Sequence, residues 1–102
     1  MPESGDRIAI ENVVSPGRTY RVDRAKYEAM RAALLAVLPA GPPGLTPAEA
    51  QRALVPLLPA DLFPGGAKAG WWMKAAQLDL EAKRVIARVD RPPVRLFRCG
   101  GT

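Results

Sequence analysis

An α+β fold of three helices closed by a C-terminal β-hairpin is what this 102-residue sequence predicts, and three observations carry the prediction. Leu45-Thr46-Pro47-Ala48-Glu49 holds a complete capping box with proline at the first helical position, a strong helix start. The Trp-bearing stretch from Lys68 to Arg84 carries apolar residues at helical spacing. Val85 to Asp90 and Val94 to Arg98 then alternate around Arg91-Pro92-Pro93, the pattern of a strand pair. A chain of this length forms one domain, residues 1–102, that buries roughly 60 to 70% of its unfolded surface. Its 48% hydrophobic content is ordinary for a globular protein.

In chain order, Arg7 to Val14 is a short β-rich run closed by Ser15-Pro16-Gly17. Arg18 to Val22 alternates beyond it, so residues 1–22 read as an extended arm or strands. Asp23 has the chemistry of an N-cap, and Val22 with Tyr27 suits a hydrophobic staple. From there Tyr27, Met30, Leu34, Val37 and Leu38 fall within about one third of a helical circumference, which makes the first helix a core helix. Pro39 and Gly41-Pro42-Pro43-Gly44 stop it. The second helix begins at Pro47 with Ala50, Ala53 and Leu54 lining one side; Pro56 has no N–H to donate, so the helix ends near Val55.

Leu57, Leu58, Leu62 and Phe63, broken by Pro59 and Pro64, are expected to form an irregular segment folded back on the core. On the third helix, centring the wheel on Trp71 puts Ala75, Leu78, Ala82 and Val85 within about 40° of it, with Trp72 and Ile86 at the edge of the stripe. Both indoles are therefore expected in the core. The outward face becomes Met73, Gln77, Leu80 and Arg84, flanked by Lys74 and Glu81. The helical core spans residues 23–84 and the hairpin residues 85–99.

The net charge of +5 resides in the last fifth of the chain, where Lys83, Arg84, Arg88, Arg91, Arg95 and Arg98 meet one acid, Asp90. A cationic hairpin attached to a helix is a layout that presses a small domain against a phosphate backbone. A stiff Pro-Pro tip would present Arg88, Arg91, Arg95 and Arg98 to a backbone or minor groove. The same arginines would equally keep an edge strand soluble. If the outer face of the third helix enters a major groove, Lys74 reaches a phosphate or guanine and Gln77 reads adenine, while Asp79 and Glu81 oppose phosphates. Met73 and Leu80, one heptad apart, form an exposed apolar ridge suited to a homodimer or another protein partner. Nucleic acid and a protein partner are thus the two expected partner classes.

Histidine is absent and Cys99 is the single cysteine. Metal sites built on His and Cys, Ser-His or Cys-His catalysis and internal disulfides are therefore excluded, and neither enzyme activity nor a metal or cofactor is expected. Cys99 reads as a small apolar filler, or as a thiol activated by flanking arginines. Gly65-Gly66-Ala67-Lys68-Ala69-Gly70 lacks the Gly-Lys-Ser/Thr of a phosphate loop and reads as a permissive lead into the helix. Asp79 and Glu81, two apart, point to different sides of a helix and form no acid-base pair. Met1 to Arg7 has no apolar core for a signal peptide and no run of about 18 apolar residues would span a bilayer, so a cytoplasmic protein without membrane contact is expected.

The order of arm, helix, short capped helix, longer helix and basic hairpin resembles a winged helix. Leu45 to Arg98 carry that resemblance, through Leu-Thr-Pro-Ala-Glu, Trp72 to Glu81 and Arg84-Val85-Ile86-Ala87-Arg88. The whole chain is also similar to a family of small bacterial proteins of unknown function. The matching words are Ile10-Glu11-Asn12, Pro16-Gly17-Arg18-Thr19, Lys26-Tyr27-Glu28-Ala29-Met30, Gly65 to Trp72 and Gln77-Leu78-Asp79-Leu80-Glu81. That resemblance implies the fold and brings no established activity. A compact helix-turn-helix joins its helices in three or four residues, whereas Val55 to Ala67 inserts about a dozen.

Overall fold

In the computed structural model, which describes residues 7–15, 17–89 and 91–99, the opening run and its alternating successor pair as an antiparallel hairpin. Strand β1 is Arg7–Glu11 and β2 is Thr19–Asp23, with Ile8 opposite Val22 and Ile10 opposite Tyr20. Alternation puts these four on one face; Ile10 and Val22 are buried while Ala9, Glu11 and Arg21 face solvent. Asp23 then caps α1 (Arg24–Val37), its carboxylate accepting from the Lys26 N–H at 3.0 Å. Tyr27, Met30, Leu34 and Leu38 are buried as their spacing predicts.

Helix α2 (Pro47–Leu54) is closed by the capping box: the Glu49 N–H donates to Thr46 Oγ1 at 3.1 Å, and the Thr46 N–H donates to Glu49 Oε1 at 2.9 Å. Thr46→Ala removes one acceptor of this pair and is expected to cost about 1 kcal/mol, read as a lower urea midpoint at unchanged slope. Two 3-10 turns, Val55–Leu57 and Pro64–Gly66, occupy the stretch before α3. Phe63 is buried, and Leu58 and Leu62 pack against the core as expected, but Leu57 stays exposed.

Helix α3 (Ala69–Ala82) packs against α1, β1 and the last hairpin, so nine of its fourteen residues are buried. This overturns the expected stripe. Trp71 is 55% exposed and Trp72 only 8%, the latter meeting Phe63 edge-on at 6.4 Å between ring centroids. Met73, Gln77 and Leu80, expected to face outward, are buried as well. The buried arc centres near Trp72 and Ala76, about a third of a turn from the assumed Trp71 centre. A helix with neighbours on several sides has no single apolar stripe to read.

The hairpin that follows pairs β3 (Ile86–Val89) with β4 (Arg95–Arg98), Ile86 opposite Arg98 and Val89 opposite Arg95. On its other side β4 is flanked by the segment between α1 and α2. Leu45 and Leu96 exchange backbone hydrogen bonds of 2.9 and 2.7 Å, and the Arg98 N–H donates to Pro39 O at 2.8 Å. Gly44 makes this approach feasible: its φ is +84°, and a Cβ there would collide with the Leu96 carbonyl. The architecture is thus α+β, three helices between two small antiparallel hairpins. No helix among the described residues is long and apolar enough to cross a membrane.

Candidate functional site

Because α3 lies inside the fold, its polar residues Gln77, Asp79 and Glu81 are committed to internal partners. Glu81 accepts a bidentate pair from Arg88, Nε to Oε1 at 2.8 Å and Nη2 to Oε2 at 3.0 Å, and a third bond from Gln77 Nε2 at 2.8 Å. Two residues earlier the fully buried Asp79 accepts from the Glu11 N–H at 2.8 Å, from Lys83 Nζ at 2.7 Å and from the Tyr27 hydroxyl. Fixed, charge-assisted bonds of this kind tie α3 to β1, α1 and β3. Gln77 is buried and offers no base-reading face to solvent, and the partly exposed Arg88 is committed to Glu81. Asp79 and Glu81, expected to repel a polyanion, are likewise withdrawn from the surface.

The other hairpin arginines divide by strand geometry. Residues three apart on a strand point to opposite faces, so Arg95 shares the outer face with Ala87, Val89 and Phe97, while Arg98 lies on the Ile86 and Leu96 side. Arg91 sits exposed at the tip, and among the described residues it has no ion-pair partner. Arg95 makes a loose pair with Glu49 at 3.8 Å, both groups partly open to water. The backbone N–H of Thr46 lowers the Glu49 carboxyl below the ordinary glutamate range, with Arg95 and Arg52 adding to it. Arg98 donates Nε to Leu38 O at 2.9 Å, which anchors its guanidinium beside the end of α1. The cationic end is therefore two groups. Arg91 and Arg95 line a shallow depression of about 420 Å³ with Pro42, Pro43, Pro92 and Pro93; Lys83, Arg84 and Arg98 line another of about 430 Å³ with Leu35, Val85 and Cys99.

Of the α3 residues proposed as contacts, only Lys74 reaches solvent. It lies beside a feature the sequence did not reveal, a small aromatic depression in which Lys74, Trp71, Tyr20, Ala75 and Leu78 meet. Tyr20 is 39% exposed there, and Trp71 stands edge-on to Trp72 at 5.1 Å between centroids. The Met73 and Leu80 ridge does not exist on the surface, so this patch is the exposed apolar feature of α3. Cys99 is half-buried and unpaired. Among the described residues, no group of three His, Cys, Asp or Glu is positioned to hold a metal ion.

Residues 7–96 match the model of a family described as a family of unknown function (DUF6958). No curated protein and no solved structure matches the chain.

Proposed function

The chain belongs to that family of unknown function, and we propose that it is a small non-enzymatic domain that binds the phosphate backbone of nucleic acid through its C-terminal hairpin. One observation carries this reading. The chain's positive excess lies beyond residue 82, and the two nearby acids of α3 are spent inside the fold on Lys83 and Arg88. Among the described residues, Arg84, Arg91 and Arg98 at that end are exposed and Arg95 is partly so, with Glu49 as its loose partner. The reciprocal Leu45–Leu96 bridge supports a winged-helix reading, since it lays the segment before α2 alongside the final strand. The burial of α3 argues against major-groove reading by that helix, so the contacts are positional and largely indifferent to sequence. A cytoplasmic site of action is part of this reading.

Replacing Arg91 and Arg95 together by Gln should leave folding nearly intact, because both are solvent-facing. Each lost phosphate contact removes about 0.9 from the slope of log affinity against log salt, so the slope for mixed-sequence duplex DNA should flatten by about 2 units. Fluorescence anisotropy at several salt concentrations measures it. No retention by the wild type at low salt, or an unchanged slope in the double variant, overturns the reading. The runner-up is a protein-interaction module, favoured by the exposed Trp71 and Tyr20. A dimer in sedimentation that Trp71→Glu dissociates would put it first. Leu80→Glu does not serve here, since it would charge the core.

A further inference from the structure

We propose that the depression at the C-terminal end of α3 is a preformed phosphate subsite, in which Arg84 and Arg98 supply the donors and Lys83 forms the wall. The inference deepens the nucleic-acid reading by assigning a seat to a single phosphate group. Three cations from two separate elements converge on one cavity of about 430 Å³, and among the described residues no carboxylate lines it. Arg98 is held before any ligand arrives: its backbone N–H bonds Pro39 O at 2.8 Å and its Nε bonds Leu38 O at 2.9 Å, which leaves both terminal nitrogens as donors. Lys83 is fixed by Asp79 at 2.7 Å.

Arg84 supplies the second argument. It closes α3 with a φ of +62°, where the Val85 N–H reaches back to Leu80 O at 2.9 Å and the Lys83 N–H to Asp79 O at 3.0 Å. Glycine or asparagine normally occupies that left-handed position, because a Cβ there is strained. A cation after a helix C-terminus also complements the helix dipole, and that accounts for Lys83 and for the charge of residue 84. It does not account for Arg98 arriving from β4, nor for accepting backbone strain when the dipole is equally served one residue earlier. Strain kept at a residue beside a ligand-sized cavity is the usual signature of a positioned contact.

Cys99 lines the same cavity and provides the readout. Inorganic phosphate, compared with chloride at equal ionic strength, should slow the reaction of Cys99 with iodoacetamide in the wild-type protein. Arg84→Gly should abolish that protection while raising the melting temperature by a few degrees, because glycine relieves the left-handed strain. Arg84→Gln, which keeps the backbone and removes only the charge, should abolish protection too. Protection that survives both substitutions, or is absent from the wild type, overturns the proposal. The source of the phosphate is read separately with duplex DNA. A salt slope lowered by about 0.9 in Arg84→Gln assigns the seat to a backbone phosphate. An unchanged slope in Arg84→Gln, with phosphate protecting Cys99 in the wild type but not in the variant, assigns it to free phosphate. Wild-type protection without any DNA retention sustains the subsite and removes the nucleic-acid reading.

Discussion

Asp79→Ala is expected to be among the most destabilising substitutions in the chain, costing about 3 kcal/mol or more, since two hydrogen bonds to a buried carboxylate, at about 1.5 to 3 kcal/mol each, go with it. The carboxylate is fully buried and serves three donors: the Glu11 N–H, the Tyr27 hydroxyl and Lys83 Nζ. Lys83 is partly exposed and rehydrates when its partner goes. The buried Tyr27 hydroxyl cannot. It is left in the core without an acceptor, a cost of order 1 to 3 kcal/mol, and the end of β1 loses its Glu11 bond to α3, keeping the Val13 N–H to Leu78 O bond at 3.3 Å nearby. Tyr27→Phe removes a single bond from the same centre and should cost less than Asp79→Ala. Urea denaturation of both variants tests the order; a loss below about 1 kcal/mol for Asp79→Ala would show that the network does not hold the fold.

The same centre sets an alkaline limit. Burial raises the Tyr27 phenol above its ordinary value near 10, and the hydrogen bond to Asp79 and that residue's negative charge raise it further, against a smaller opposing pull from Arg31. The neutral phenol is therefore the form the native state favours. Its contribution is complete below about pH 10 and is lost as pH rises beyond, so wild-type stability should fall more steeply above pH 10 than that of Tyr27→Phe.

Local signals were legible where the cause is local. The Thr46 to Glu49 capping box, the Asp23 cap and the Tyr27, Met30, Leu34, Leu38 stripe lie within a few residues of their partners, and all appear as expected. The two strands of the last hairpin are likewise found, each starting one residue later than read, with Asp90 outside the described residues. The character of α3 was not legible, because the partners that bury it are distant in sequence. Asp79 meets groups 68 and 52 residues away in Glu11 and Tyr27, and no spacing within 69–82 announces that. With the polar residues misassigned to the surface, Met73 and Leu80 looked like an interface and Gln77 like a base reader. The arginines were half legible. Their concentration survives as an exposed cationic end, but the bidentate Arg88–Glu81 pair joins a strand to a helix, and only strand register shows that Arg95 and Arg98 face opposite ways.

The two adjacent tryptophans make the orientation of α3 testable. Trp72→Ala should cost about 3 to 5 kcal/mol, the range for truncating a buried aromatic, since its indole fills the core against Phe63. Trp71→Ala removes a larger exposed than buried area and loses mainly its edge contact with Trp72, so about 1 kcal/mol is expected. Emission reports the same asymmetry without relying on stability. Trp72→Phe leaves Trp71 as the fluorophore, red-shifted and readily quenched by acrylamide, whereas Trp71→Phe leaves a blue-shifted emission resistant to it. Equal costs for the two alanine variants, or equal quenching in the two phenylalanine variants, would rotate α3 back toward the stripe read from the sequence and return Gln77 to the surface. If the asymmetry holds, α3 serves as the scaffold on which the cationic hairpin is mounted. Trp71, exposed beside Tyr20 and Lys74, is then a surface that a partner can use without disturbing the core.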